Sequence, residues 1–187
     1  MRRLSALLTF LALGCAVSTA QTRASKTLDV YVIDVEGGNA TLFVSPSGGS
    51  LLMDTGNAGA AAARDAGRIA DAVKDAGLGQ VDHLITTHWH GDHFGGMAEL
   101  ASKVTIREFI DHGPNVQPGE LADTFLQKTY PQLYAKAKHT VVKPGDRISL
   151  AAYPVNGRLS SSNKRPVPDC AAFAGISLTI FSDVHGA

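Results

Sequence analysis

The 187-residue chain is short of cysteine, of net charge and of long apolar runs, and each shortage narrows what it can be. It has two cysteines, Cys15 and Cys170. Cys15 falls in a leader read below as cleaved, so Cys170 then stands alone. It is either a free thiol or one whose partner lies on residues outside this chain. Lys plus Arg and Asp plus Glu number 17 each, a formal net charge of +0. That balance makes no electrostatic case for nucleic acid or for an anionic membrane. The apolar stretch from Leu4 to Leu13 is too short to span a bilayer. There are no internal repeats. Charged residues are 18% of the chain and hydrophobic ones 44%, enough for a packed core and against wholesale disorder.

The N-terminus reads as an address. Arg2-Arg3 is a positive n-region, Leu4 to Leu13 an apolar h-region, and Ser18-Thr19-Ala20 supplies small residues before a cut. The reading is a secretory signal over residues 1–20, and so an exported protein, periplasmic or extracellular. A lipoprotein reading through Ala12-Leu13-Gly14-Cys15 is weaker, because a larger aliphatic residue than Ala12 is usual there. Residues 21–27 form a polar, flexible leader, and residues 28–187 a single domain.

Periodicity then gives an α/β alternation. Leu28 to Ile33 is β-branched and aromatic and reads as a strand; Gly37-Gly38 turns the chain, and Ala40 to Val44 returns beside it. Leu51-Leu52-Met53 is a third strand after the Ser45 to Ser50 turn. Residues 58–76 predict the clearest helix. Ala62, Ala66, Ile69, Ala70, Val73 and Ala76 share one face, while Arg64, Asp65, Arg68, Asp71, Lys74 and Asp75 make an ordinary solvated face. A strand through Val81 to Thr87, a short helix at Met97 to Ser102 and a strand at Val104 to Ile110 follow. Leu121 to Lys138 has helical spacing broken by Pro131, with Tyr130 and Tyr134 as packing residues. His139 reads as a plain strand histidine. Arg147 to Tyr153 and Ile176 to Phe181 are further strand candidates, separated by a Ser-, Pro- and Gly-rich loop.

The chemistry concentrates in Thr87-His88-Trp89-His90-Gly91-Asp92-His93, which holds three of the seven histidines, with His83 just upstream. Imidazole and carboxylate are what a borderline divalent ion such as zinc prefers, with manganese or iron also open. An extended continuation of the strand puts His88, His90 and Asp92 on one side. Gly91 then permits a sharp turn, and His93 arrives from another direction at the mouth of a short helix. Trp89 is expected to pack. If the strand ending at Ile110 neighbours the histidine-bearing one, His112 lies at the same sheet edge and is a further site candidate.

These residues resemble the His-x-His-x-Asp-His signature of the metallo-β-lactamase superfamily. The flanking Val81 to Thr87 strand, Phe94-Gly95-Gly96 after the motif, Leu51 to Gly56 and Asp34 to Ala40 fit the same family. The feel is closest to its secreted hydrolases and the hydrolase domain of bacterial DNA-uptake channel proteins. The resemblance covers roughly residues 28 to 113. It implies an αββα sandwich of the metallo-β-lactamase type, with the first half complete and the second half partial. It also implies one or two zinc ions, His88 and His90 on one and Asp92 and His93 on the other. Asp92 would in addition carry a proton, and Asp54 would orient the metal loop from behind, unless it merely forms a turn before Gly56.

The implied activity is that of a metal-dependent hydrolase, using a zinc-bound hydroxide on an ester, amide or lactam, or phosphodiester-type bond of a small-molecule substrate. The expected pattern lapses late in the chain. Asn156-Gly157 stands where a histidine is usual, and only Asp183 and His185 resemble the later ligands. A partial second half predicts weak metal binding and an uncovered strand edge with apolar sheet surface, hence a partner that covers it. The alternative reading is a catalytically silent binding or interaction module on the same fold.

Overall fold

The computed structural model describes residues 27–117 and 119–150 together with a strand at 177–179. The signal segment, most of the leader, Cys170, Asp183 and His185 lie outside the described residues. Within them, six strands form one sheet in the order of the chain: β1 (Asp29–Val32), β2 (Thr41–Val44), β3 (Ser50–Met53), β4 (Val81–Ile85), β5 (Ile106–Asp111) and β6 (Lys138–Val141). The first three run antiparallel, as hairpins joined by short turns must, and β3 to β6 run parallel.

Each parallel step needs a crossover, and the helices supply it. α1 (Ala62–Asp75), entered through a 3-10 turn at Gly59–Ala61, joins β3 to β4. α2 (Gly91–Phe94) and α3 (Met97–Ala101) join β4 to β5. α4 (Glu120–Thr124) and α5 (Tyr130–Leu133) join β5 to β6. Between them Phe125–Thr129 forms a π turn, with the Tyr130 N–H reaching back to the Phe125 carbonyl. Pro131, which has no N–H to give and whose ring would crowd the preceding turn, follows at once in the first turn of α5. The break expected at Pro131 is therefore a widened turn that keeps the chain helical.

Alternation along each strand sends the two faces to different cores. Leu42, Leu52, Leu84 and Phe109 face the helices and meet Ala66, Ile69 and Val73 of α1, with Met97 and Leu100 of α3. Leu51, Ile85 and Ile110 face the other way and are covered by Ile148 and Leu150, at and just beyond β7 (Arg147–Ser149). β7 pairs antiparallel with β8 (Ser177–Thr179) as the start of a second sheet. The result is helices, a full sheet and part of another, the layering expected of one complete and one partial half. At the β1 edge Val30 and Val32 stay 49% and 84% exposed, an apolar strip on the face turned away from the helices.

One residue of the solvated helix face is not solvated. Asp65 is fully buried; its carboxylate accepts the Asn57 backbone N–H at 2.8 Å and the Asn57 side-chain amide at 3.0 Å, and pairs with Arg64. It ties α1 to the loop that leaves β3. Burial pushes its pKa up, but the Asn57 and Arg64 bonds outweigh that and hold it below the usual carboxylate value. A depressed folded pKa means stability that is fully present above the unfolded value of 3.8 and is lost as the pH falls through the lower folded value. Asp65→Asn is thus expected to cost about 2 kcal/mol at neutral pH, by urea unfolding. The gap to wild type should hold constant down to about pH 5 and narrow steadily below about pH 4.

Candidate metal centre

The histidine loop begins where β4 ends. Parallel strands place their C-terminal ends along one edge of the sheet, and Asp54 after β3, Thr86 to His90 after β4 and Asp111 at the end of β5 all meet there. Backbone bonds fix the loop to its neighbours. Thr86 N–H donates to Ile110 O, Thr55 N–H to His93 O at 2.6 Å, Asn39 N–H to Asp92 O at 3.2 Å and Gly95 N–H to Gly56 O at 3.0 Å. Asp92 and His93 sit in α2 rather than in the extended run, so they approach from a different side than His88 and His90.

The three imidazoles form one group. The His88 ring centroid lies 3.9 Å from that of His93 and 4.5 Å from that of His90. His88 Nε2 and His90 Nδ1 face each other at 2.9 Å. Asp92 Oδ2 stands 3.8 Å from His93 Nε2. Behind them Asp54, 1% exposed, carries the loop. Its Oδ1 accepts the Thr87 N–H at 2.8 Å. Its Oδ2 takes the Thr87 hydroxyl at 2.7 Å, the Asn39 amide at 2.9 Å and His93 Nδ1 at 2.8 Å. Its backbone is left-handed, φ 62, which a non-glycine residue adopts only when its surroundings demand it.

Those bonds decide which ring atoms are free. A carboxylate only accepts, so His93 Nδ1 carries the hydrogen and Nε2 is the nitrogen whose lone pair the neutral ring would offer. Thr87 spends its hydrogen on Asp54, so its oxygen accepts from His88 Nδ1 at 3.2 Å, which leaves the His88 Nε2 lone pair facing His90. Burial, then the neighbouring His93 and His90 rings, hold His88 below the ordinary imidazole range and keep it neutral. Neutral nitrogen lone pairs beside a carboxylate are a donor set that suits a borderline divalent ion. No three His, Cys, Asp or Glu side chains among the described residues converge as a ready-made cage; the rings close on one another instead.

Other histidines go elsewhere. His83 is buried on the opposite face of the sheet, Nδ1 to Glu108 at 2.9 Å. His112 is exposed and lies tilted beside Trp89, centroids 6.3 Å apart, rather than in the imidazole group. His139 is more than a plain strand residue: its Nε2 bonds buried Asp111 at 2.7 Å and its ring stacks on Tyr134. Trp89 is buried against Phe94, Phe125 and Tyr130, as packing required. Sequence reasoning missed Gln117, whose side-chain oxygen bonds His90 Nε2 from a loop with no periodicity to mark it.

The sequence profile of the metallo-beta-lactamase superfamily matches residues 33–151. This stretch exceeds half the chain and holds strands β2 to β6 of the main sheet and the histidine loop, so the chain belongs to the metallo-beta-lactamase superfamily. Solved structures similar to it include a subclass B3 metallo-beta-lactamase from a soil metagenome library, 24% identical with a TM-score of 0.43. The match covers 65% of this chain and 46% of that one. Metallo-beta-lactamase SMB-1, solved with 2-mercaptoethanesulfonate, is 23% identical over the same shares, TM-score 0.46. A metallo-beta-lactamase of Cronobacter sakazakii with a HARLDQ motif is 17% identical over 65% of this chain and 43% of its own, TM-score 0.42. The chain thus spans less than half the length of these structures. Among curated proteins nothing matches.

Proposed function

We propose that this chain is an exported metal-dependent hydrolase, or the ligand-bearing part of one, in which His88, His90, His93 and Asp92 hold the ion. The observation that carries the reading is the imidazole group at the strand ends, with His88 to His93 at 3.9 Å, seated on the buried carboxylate of Asp54. Zinc suits the donor types best, and manganese or iron suit them next. When bound, such an ion lets water ionise near pH 7 and polarises the bond under attack. The chain's own residues do the rest. Asp54 and Thr87 hold the imidazoles in their tautomers, and Gln117 steadies His90 from the neighbouring loop. Asp92, partly open to solvent beside His93, is placed to take up and return a proton. The substrate is a small molecule with an ester, amide, lactam or phosphodiester bond. The leader of residues 1–20 supports export, and no helix among the described residues is long and apolar enough to cross a membrane. A partner covering the Val30 and Val32 strip belongs to the same reading.

The test is zinc content after gel filtration, together with hydrolysis of a chromogenic lactam and of bis(nitrophenyl) phosphate. His88→Ala should lower the turnover of whichever is cleaved at least about a hundredfold, more than loss of an outer-shell partner does. Activity that survives this change intact dismisses the reading. Bound zinc with no turnover of either substrate favours the silent binding module.

A further inference from the structure

Asp111 ends β5 and is 2% exposed, yet it is saturated with bonds. Oδ2 accepts the Tyr130 hydroxyl and bonds His139 Nε2, both at 2.7 Å; Oδ1 accepts the Gly113 N–H at 2.7 Å. Gly113, in turn, gives its carbonyl to the indole Nε1–H of Trp89 at 2.8 Å. Tyr130 closes the circuit by packing edge-on against the same indole, centroids 5.2 Å apart. Burial first and then the charge of Asp111 keep the Tyr130 hydroxyl protonated, so it stays a donor. His139 is pinned by its stack on Tyr134, centroids 4.2 Å apart with planes 12° from parallel.

Trp89 is the residue between His88 and His90. Its side chain is clamped at the ring nitrogen and packed by Phe94 and Tyr130, whereas His88 is held through Thr87 and His90 through Gln117 of an exposed loop. We infer that Asp111, with Tyr130 and His139, is a positioning device: through Gly113 and Trp89 it sets the separation of His88 and His90 and so the affinity for the ion. This rests on the reading of His88 and His90 as ligands. Asp54 holds the loop from the β3 side, and Asp111 holds it from the β5 side. Nothing in the device touches the reacting atoms.

The experiment uses the full chain, zinc competition against a chromophoric chelator, and the emission of the single tryptophan. Asp111→Asn should weaken zinc at least about tenfold, the scale of an outer-shell partner. It should also shift the emission maximum and shrink its response to zinc. Glu108→Gln is the control. Glu108 lies on the same strand and is also buried and polar, but it faces the other side, bonded to His83 and Thr140. That change should lower the melting temperature while leaving zinc affinity within about twofold and emission unaltered.

Folded Asp111→Asn with wild-type affinity overturns the inference, as does Glu108→Gln weakening zinc equally. Should Asp111→Asn fail to fold, Tyr130→Phe keeps the ring packing and deletes only the hydroxyl donor that Asp111 accepts. It too should lose about tenfold, and unchanged affinity would count against the device. A wild-type chain without zinc affinity overturns both this and the hydrolase reading, whereas a zinc-binding wild type with an indifferent Asp111→Asn overturns this alone.

Discussion

Asp54→Ala is expected to cost roughly 3–5 kcal/mol of folding stability and at least about a hundredfold in zinc affinity. Four donors converge on this carboxylate: Thr87 N–H, Thr87 hydroxyl, the Asn39 amide and His93 Nδ1. Alanine takes this acceptor from all four, leaving only the longer contacts of the Asn39 amide to Met53 O at 3.4 Å and of His93 Nδ1 to Thr87 Oγ1 at 3.3 Å, and each buried orphan costs about 1–3 kcal/mol. The total stays below a simple sum because Thr87 is exposed and can turn to solvent. Two companion changes separate the causes. Asp54→Gly relieves the left-handed backbone at φ 62 and should be about 1 kcal/mol more stable than the alanine variant, with the same zinc defect. Asp54→Asn tolerates that backbone and keeps one acceptor, but its amide turns an N–H toward a donor. It should lie between, with His93 no longer held to one tautomer. Urea midpoints and chelator competition read both quantities. An alanine variant unfolding at the wild-type midpoint would remove Asp54 from this role.

Much of the fold was legible because local pattern and tertiary demand agree in it. The six strands of the main sheet carry the apolar and β-branched runs that mark them, and α1 repeats its small apolar residues every three to four positions. The His88 to His93 loop was legible because its ligand types crowd into six residues. What was not legible depends on partners far away in the chain. Asp65 sits among charged neighbours on a helical wheel, and Asn57, approaching from a loop, joins Arg64 to make burial possible there. His83 adjoins the histidine motif but lies on the sheet face away from the helices beside its register partner Glu108, because strand parity sends alternate residues to opposite faces. Asp111, Tyr130 and His139 come from a strand, a helix and another strand, and nothing in their spacing announces that they share one carboxylate. Residues that act on their own neighbours can be read from sequence; residues that act across a sheet register cannot.

Gly95→Ala should be the most damaging single methyl among the described glycines, and the reason lies in how the histidine loop is seated. Gly95 has an ordinary helical φ of −64, so alanine suffers no backbone strain there. The obstacle is close approach. A Cβ would fall 1.9 Å from Ala58 N, 2.2 Å from the Asn57 carbonyl carbon and 2.2 Å from Gly91 O, all main-chain atoms that no rotamer change can move. Relief requires lifting the α2–α3 junction off the loop after β3. That would break Gly95 N–H to Gly56 O and strain Thr55 N–H to His93 O, the bonds that bring His93 to Asp54. The expected cost is at least about 3 kcal/mol, beyond ordinary overpacking, with loss of zinc binding in whatever remains folded. Gly67→Ala tests the logic from the other side. Gly67 lies inside α1 with nothing within 4 Å of a Cβ, so the same methyl should stabilise by about 0.5–1 kcal/mol through helix propensity and a less free unfolded chain. Thermal melts of the two variants should therefore move in opposite directions. If Gly95→Ala melts with wild type, α2 does not lie against Asn57 and Ala58 as described, and the path by which the sheet places His93 is wrong.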